Sequence, residues 1–530
     1  MEYAEVRQSV NESMKTRHNP GQSSSGASPS VSWPGGFGWR VLLALVGGLI
    51  LRLWMLRSFP QMDVDTQIYG DLAKNMLLHR QFAITDGSGV IHSTLIRLPG
   101  YPLFLAACFQ IFGVANYTAV ICVQIAVELI ACLLLADFVR RIANARAGMN
   151  TLWLAALCPF TAIYTVSPLT ESLTISCICL ALWSLERYLS FPERYGLQPV
   201  HKSGRIKAGF SRRGTVFERL QRLAGFSFSL KAWNTHWFFL FLFTFALSAA
   251  ALLRPDGALI AFALWPALIF SRGSGVKLAP ALRRAVLCGV LAVLPFGVWT
   301  GRNLSTFHVF EPLAPRYAND PGEDPHLGWQ HWVKTWCFDF TCTYEVYWLV
   351  PGETLDIKSL PTWAFDNPAQ RTETETIFKA YNDDQDISPE LDQRFEALAR
   401  ERIAAHPLRN HVLLPWGRLL DMTLRPRVEN LPIDLRWWQY DLHHVETRFS
   451  VAYGALNLIL LGLGIAGLCL RPKFWGYMAA YIILRSLLLT TVEAPETRYT
   501  LEFFPIVFAM GGIALQRIFR KRLPRPIKRT

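Results

Sequence analysis

Along this chain apolar residues gather in runs of about 17–24, separated by polar connectors that carry Gly, Pro and charge. Runs of that length match the hydrocarbon core of a bilayer, and a helix can cross it because it satisfies its own backbone hydrogen bonds. The pattern predicts an all-α polytopic membrane protein of about ten transmembrane helices, at approximately 39–56, 117–139, 150–167, 169–189, 237–253, 256–271, 283–301, 449–470, 474–491 and 500–519. The apolar stretch from Tyr101 to Val114 is about 14 residues, short for a span, and is expected to lie flat on the membrane or to re-enter it. Helical spacing of Tyr69, Leu72, Ala73 and Met76 predicts a second interfacial helix just after the first span. Residues 388–404 predict an amphipathic helix capped by Ser388 and ended at His406-Pro407.

Charge orients these spans. The cluster Arg140, Arg141 and Arg146, the loop 190–236 with nine basic and two acidic residues, the loop Arg272–Arg284, the stretch Arg471–Lys473 and the tail from Arg520 all fall on one side. The positive-inside rule makes that side cytoplasmic, and both termini with it. The expected organisation is a disordered cytoplasmic tail (1–38), an N-terminal transmembrane module (39–301) with a first exported loop (57–116), an exported mixed helix-and-loop domain (302–448), C-terminal transmembrane helices (449–519) and a basic cytoplasmic tail (520–530). The exported domain carries 23 acidic and 15 basic residues, a balance suited to the outer face. The first apolar run then acts as a signal anchor in a cell inner (plasma) membrane.

Composition changes the picture little. The chain has 530 residues, 51% of them hydrophobic, and a formal net charge of +13. Because the basic residues sit in loops and at the C-terminus, that charge is a topology signal and not a nucleic-acid footprint. Eight of the ten cysteines lie in apolar runs, where they act as small hydrophobes. Cys337 and Cys342 lie instead in an exported polar loop, where oxidation is allowed, and are expected to form a disulfide.

Candidate chemistry clusters at the outer ends of the spans. Asp63 and Asp65 follow the first span in QMDVDTQIYGDLAKNM; alone they read as an N-cap and a solvated first turn. Arg97 enters the interface at RLPGYP, where Pro99, Gly100 and Pro102 redirect the chain. Arg254, Arg302 and Arg498 also lie at non-cytoplasmic span ends, which the positive-inside rule disfavours. Two explanations stand side by side: a lipid phosphate held bidentately, or local ion pairs with Asp256, Glu493 and Glu496. Glu171 in SPLTES is an acid one turn into an apolar helix, either functional or part of a capping box.

In this order the motifs DTQIYGDLAKN, RLPGYPLFLA, SPLTESL, LLRPDG, WTGRN and ETRYTLEFFP resemble the GT-C superfamily of glycosyltransferases. The branch is that of the dolichyl-phosphate-mannose protein mannosyltransferases and the bacterial aminoarabinose transferase of lipid A. The resemblance covers about 39–310 and 449–519 and maps the family's catalytic aspartate onto Asp65, with Asp63 beside it. It implies a polyprenyl-phosphate sugar donor, with Arg97, Arg254, Arg302 and Arg498 toward its phosphate and Tyr69, Glu171 and Tyr499 in support. It also implies an inverting transfer to a lipid, glycan or protein acceptor at the extracytoplasmic face. A carboxylate base serves the acceptor, and a phosphate leaving group needs positive charge and not a general acid. Asp63, Asp65 and Glu171 could also take a divalent cation, while the adjacent His443-His444 do not share a helix face. The alternative of another class is a transporter or flippase of lipid-linked sugars; no internal repeat of either half supports it.

Overall fold

A computed structural model of the chain describes residues 37–60, 62–190, 216–271 and 277–522. The expected N-terminal tail, most of the basic loop 190–236, residues 272–276 and the tail after 522 lie outside the described residues.

The described chain is helical apart from one small hairpin. It opens with α1 (Phe37–Ser58) and α2 (Val64–Leu78), then β1 (Ala83–Thr85) and β2 (Ile91–Ser93), antiparallel with Ile84 opposite His92. Next come α3 (Gly100–Phe112), α4 (Tyr117–Ile142), α5 (Ala145–Ala156), α6 (Pro159–Thr165), α7 (Glu171–Ser190) and α8 (Val216–Leu253). Short helices α9 (Leu259–Leu264) and α10 (Ala267–Phe270) lead to α11 (Leu278–Phe307). The segment 302–448 holds α12 (Leu327–Lys334), α13 (Phe340–Glu345), α14 (Pro368–Asp384), α15 (Pro389–Ala405) and α16 (Leu414–Leu424). The chain closes on α17 (His444–Cys469), α18 (Trp475–Leu489), a 3-10 turn (Thr497–Phe503) and α19 (Phe504–Arg522).

Among the described residues six helices are long and apolar enough to cross a membrane, against about ten expected: Gly38–Ser58, Tyr117–Ile142, Thr235–Leu253, Leu278–Phe307, His444–Cys469 and Thr497–Arg520. The expected span 150–167 is broken between α5 and α6, where Pro159 starts a new helix. The break would strand the Ala156 carbonyl, and Arg52 of α1 reaches across to donate to it at 2.7 Å. Arg52 also donates to Gly48 O and pairs with Glu128 of α4, all three residues being buried or nearly so. This ion pair inside the apolar layer was not foreseen, since its two partners lie 76 residues apart. The expected span 256–271 is divided by Pro266 into α9 and α10, and 474–491 yields only the 15 residues of α18. The stretch judged too short to span is α3, 13 residues long.

Two cores result. The larger is built from α1, α4–α11 and α16–α19, with Phe243, Leu264, Met510 and Tyr481 fully enclosed. The smaller belongs to the segment 302–448, where Trp329, Trp332, Trp336, Phe378 and Phe395 pack at edge-to-face or tilted angles. Helix α15 starts as expected: Ser388 Oγ accepts from Leu391 N, Pro389 occupies the first turn, and His406 closes it. Cys337 and Cys342 are disulfide-bonded, with Cα atoms 5.6 Å apart.

Candidate functional site

The site is built where the ends of several spans converge. Helix α2 begins at Val64, with Asp63 at its N-cap position and Asp65 in its first turn. Asp63 makes no capping hydrogen bond, so the simple cap reading of that residue does not hold. Thr66 Oγ1 donates to Pro168 O at 3.3 Å, tying the start of α2 to the SPLTES turn. That turn is held from behind by Gln124, whose Nε2 donates to Thr165 O and Ser167 O at 3.0 Å each. Gln124 is fixed in turn by Tyr101 Oη at 2.7 Å. Gly100 explains the Pro-Gly step before it: a Cβ there would lie 2.5 Å from Leu252 O, so only glycine lets α3 reach the end of α8. Gly257 does the same one turn on, against Ala250 O at 2.0 Å. Two short motifs far apart in sequence thus bring Arg97 and Arg254 to one place.

At the centre Asp65 is held between two arginines. Arg97 Nη2 donates to Oδ1 at 2.8 Å and Arg498 Nη1 to Oδ2 at 3.0 Å, the latter across 433 residues of sequence. Burial alone would raise the Asp65 carboxyl, but Arg498 and Arg97 outweigh it and hold the group below the usual carboxylate range. Asp63 moves the other way. Burial raises it, the Arg498 charge opposes that, and Asp65 adds repulsion. The Asp63 carboxylate has no hydrogen-bond or ion-pair partner among the described residues, so two neighbouring carboxylates are pushed apart by their surroundings. Tyr69 packs edge-on to Tyr101 at 5.1 Å with the Arg97 guanidinium 5.9 Å from its ring, and burial pushes its hydroxyl up to about 12.

A second, more enclosed network lies behind this pair. Arg254 Nη1 donates to Glu171 Oε1 at 2.8 Å and its Nε to Asp256 Oδ1 at 3.1 Å. Arg485 pairs with Glu502 at 2.7 Å and Asp256 at 3.0 Å, and donates to Tyr499 O. Arg498 also pairs with Glu496, to which Tyr499 Oη donates. The Arg254 guanidinium lies 5.6 Å from the Tyr499 ring, linking the layers.

The structure therefore gathers Asp63, Asp65, Tyr69, Arg97, Glu171, Arg254, Arg498 and Tyr499. It does not gather Arg302. That side chain donates to Thr94 O and Phe82 O at 2.8 Å each and lies over the Phe82, Trp299 and Phe307 rings, bracing both ends of the β-hairpin. Arg254 is surrounded by acids, which is the local-pairing alternative raised from sequence. Among the described residues no group of three or more His, Cys, Asp or Glu, Asp63, Asp65 and Glu171 included, is placed to hold a metal ion. His443 faces Glu446 and Asp434, while the His444 ring stacks on Tyr440. Sequence reasoning missed Arg485 and Glu502; an ionisable residue inside an apolar run was the signal available for both. A cavity of about 260 Å³ beside the disulfide, lined by Trp336, Trp363, Trp438 and Arg436 among others, contains none of these site residues.

Comparison with known proteins bears on the same residues. Residues 97–198 match the family model described as dolichyl-phosphate-mannose-protein mannosyltransferase. No curated protein matches the sequence. Among solved structures, the chain is similar to the oligosaccharyltransferase AglB of Archaeoglobus fulgidus in complex with an inhibitory peptide and a dolichol-phosphate. Identity is 11% and the TM-score 0.43, over 92% of this chain and 51% of that one. The chain thus spans about half the length of that enzyme. It is also similar to ArnT of Cupriavidus metallidurans bound to undecaprenyl phosphate, at 14% identity and a TM-score of 0.38, over 91% of this chain and 78% of that one. The matched segment, 102 of the 530 residues, begins at Arg97 and contains the Pro-Gly-Tyr-Pro turn and Glu171.

Proposed function

We propose that the chain transfers a sugar from a polyprenyl-phosphate donor to an acceptor hydroxyl or amine at the outer face of an inner (plasma) membrane, with inversion. The observation that carries this reading is the Asp65 carboxylate shared between Arg97 and Arg498. A guanidinium binds a phosphate as readily as a carboxylate, and bidentately. A donor phosphate arriving between the arginines exchanges with Asp65, takes up their charge and leaves the carboxylate free. The acceptor oxygen or nitrogen then attacks the anomeric carbon, its proton passes to Asp65, and the carbon–oxygen bond to phosphate breaks with the electron pair staying on phosphate. Arg254, Glu171 and Tyr499 hold Arg498 and its turn in place from behind. Asp63, unpaired and raised, is the competing base.

The donor class follows the family matched over residues 97–198, whose description names a dolichyl-phosphate sugar. The acceptor is a lipid, glycan or protein. Both termini are cytoplasmic and 302–448 is exported on the charge asymmetry of the loops. Incubating the purified protein with radiolabelled polyprenyl-phosphate sugars and candidate acceptors tests this. Transfer moves the label off the polyprenyl lipid onto acceptor, whereas label that changes leaflet with its lipid bond intact would make the protein a flippase.

A further inference from the structure

The exported segment contains a helix that behaves unlike the rest of it. Residues 407–424 are helical throughout, with a π turn at Arg409–Leu413 that eases Pro415 into the run. Leu408, Val412, Leu413, Trp416, Leu420 and Leu424 lie along one side, each between 41 and 65% exposed. The other side is fully occupied. Arg418 donates to Cys337 O at 2.9 Å and Lys334 O at 3.1 Å, and Leu419 and Met422 are buried. Arg409, the charge that falls within this arc, is paired with Asp366 at 2.7 Å, and six large apolar residues standing free on one helix mark a surface that something covers.

The helix end shows what covers it. Thr423 O accepts from Asn457 Nδ2 at 2.9 Å, and Met422 O from Thr500 Oγ1 at 2.9 Å. Pro426 packs on Gly454, where an added Cβ would lie 3.0 Å from its ring. Gly454 and Asn457 are not at the mouth of α17; at 1.5 Å per residue they lie roughly 15 and 20 Å along it from His444. Leu419 and Met422 accordingly pack into the core of the membrane helices and not into the tryptophan-rich exported core. Helix α16 also packs against α18, whose 15 residues make roughly 22 Å of helix, less than the ~30 Å hydrocarbon thickness. On α18, Ile483 and Leu487 are more than half exposed, so its apolar outer surface runs on into that of α16.

We propose that helix 407–424 is immersed in the outer leaflet, its apolar stripe against lipid acyl chains, and seats the exported segment on the membrane. The bilayer is preferred to a protein partner because the end of the helix is bonded to residues well inside a span. Trp416, an aromatic of the kind that settles at membrane interfaces, sits midway along the stripe. The seat bears on the site as well: Arg427, three residues past the helix, donates to Thr497 O, next to Arg498.

The test is tryptophan emission of the full-length protein in nanodiscs, comparing wild type with Trp416→Phe. The emission that the substitution removes belongs to Trp416. Lipids brominated on their acyl chains should quench most of that emission, and aqueous iodide should leave most of it. Trp363→Phe is the control: that side chain is 51% exposed beside the exported cavity and should respond to iodide and not to bromolipid. Trp416 emission that iodide quenches and bromolipid does not would put the helix in water. Emission insensitive to both would put a protein partner on the stripe. Either result overturns the proposal, and neither depends on whether the chain transfers sugar.

Discussion

Asp63 and Asp65 stand two residues apart, yet their surroundings separate them in role. Asp65 is depressed by Arg498 and Arg97, while Asp63 is raised by burial and its carboxylate has no hydrogen-bond or ion-pair partner among the described residues. The pH profile of kcat/KM therefore distinguishes them, because it reports the free enzyme. With Asp65 as base, activity should persist below the ordinary aspartate range, and Arg498→Gln should move the acid limb to higher pH by removing the charge that lowers the carboxyl. With Asp63 as base, the wild-type limb should lie above that range. Asp65→Asn keeps shape and helix-start compatibility but removes the base, so turnover should fall by roughly 10²–10⁴-fold. Full turnover in a folded, donor-binding Asp65→Asn variant would transfer the role to Asp63. The arginines divide in the same way. Arg498→Lys should weaken transfer because a single ammonium cannot span carboxylate and phosphate as the fork does. Arg302→Lys should leave donor KM unchanged and instead lower thermal stability, since its contacts are two hairpin carbonyls and three rings.

At the scale of elements, two cross-links make separate demands. Arg52 joins α1, α4 and the break between α5 and α6 through Glu128 and Ala156 O. Arg52→Met strands a buried Glu128 and should cost about 3–5 kcal/mol, while Arg52→Met with Glu128→Leu should recover much of that loss. Thermal unfolding in detergent of the two singles and the double reads the coupling directly. Equal, additive losses would mean that the pair does not act as a unit. The Cys337–Cys342 bridge sits at the base of α13, whose Thr343 Oγ1 donates to Pro495 O three residues before Arg498. Its loop is short, so Cys337→Ser should cost about 2 kcal/mol, at the low end for disulfides. Free labelling of both thiols in protein kept oxidised would show that the bridge does not form in the membrane-bound protein.

For the whole molecule the question is which side each segment occupies. On the charge asymmetry we propose that the loop 190–236 is inside and 302–448 outside. Reporter fusions at Gly209 and Asn382 should accordingly report opposite compartments. The same compartment for both would move Asp65 and its arginines to the wrong face for an exported acceptor. The helix seated at 407–424 refines this picture, because the exported segment then rests on the outer leaflet beside the turn that carries Arg498.

Much of this was legible in one dimension, and the reason is physical. A bilayer imposes its thickness and polarity on every span separately, so α1, α4, α8, α11, α17 and α19 could each be read from their own residues. The same holds for α15, whose cap, first-turn acids and stop lie within twenty residues of one another. Arg97 and Arg498 could be singled out because a positive charge at an outer span end violates a local rule, and Asp65 because its motif resembles that of a known family. That these three meet could not be read, since residues 65 and 498 are brought together only by the packing of the helix bundle. The same packing decided that Arg302 braces a hairpin while Arg498 reaches the carboxylate, although both are arginines at outer span ends. It also decided that Arg52 and Glu128 neutralise each other and that no other part of the described chain covers the stripe of helix 407–424. Span by span the membrane acts on local sequence, whereas the partner of a buried charge is set by which helices pack together.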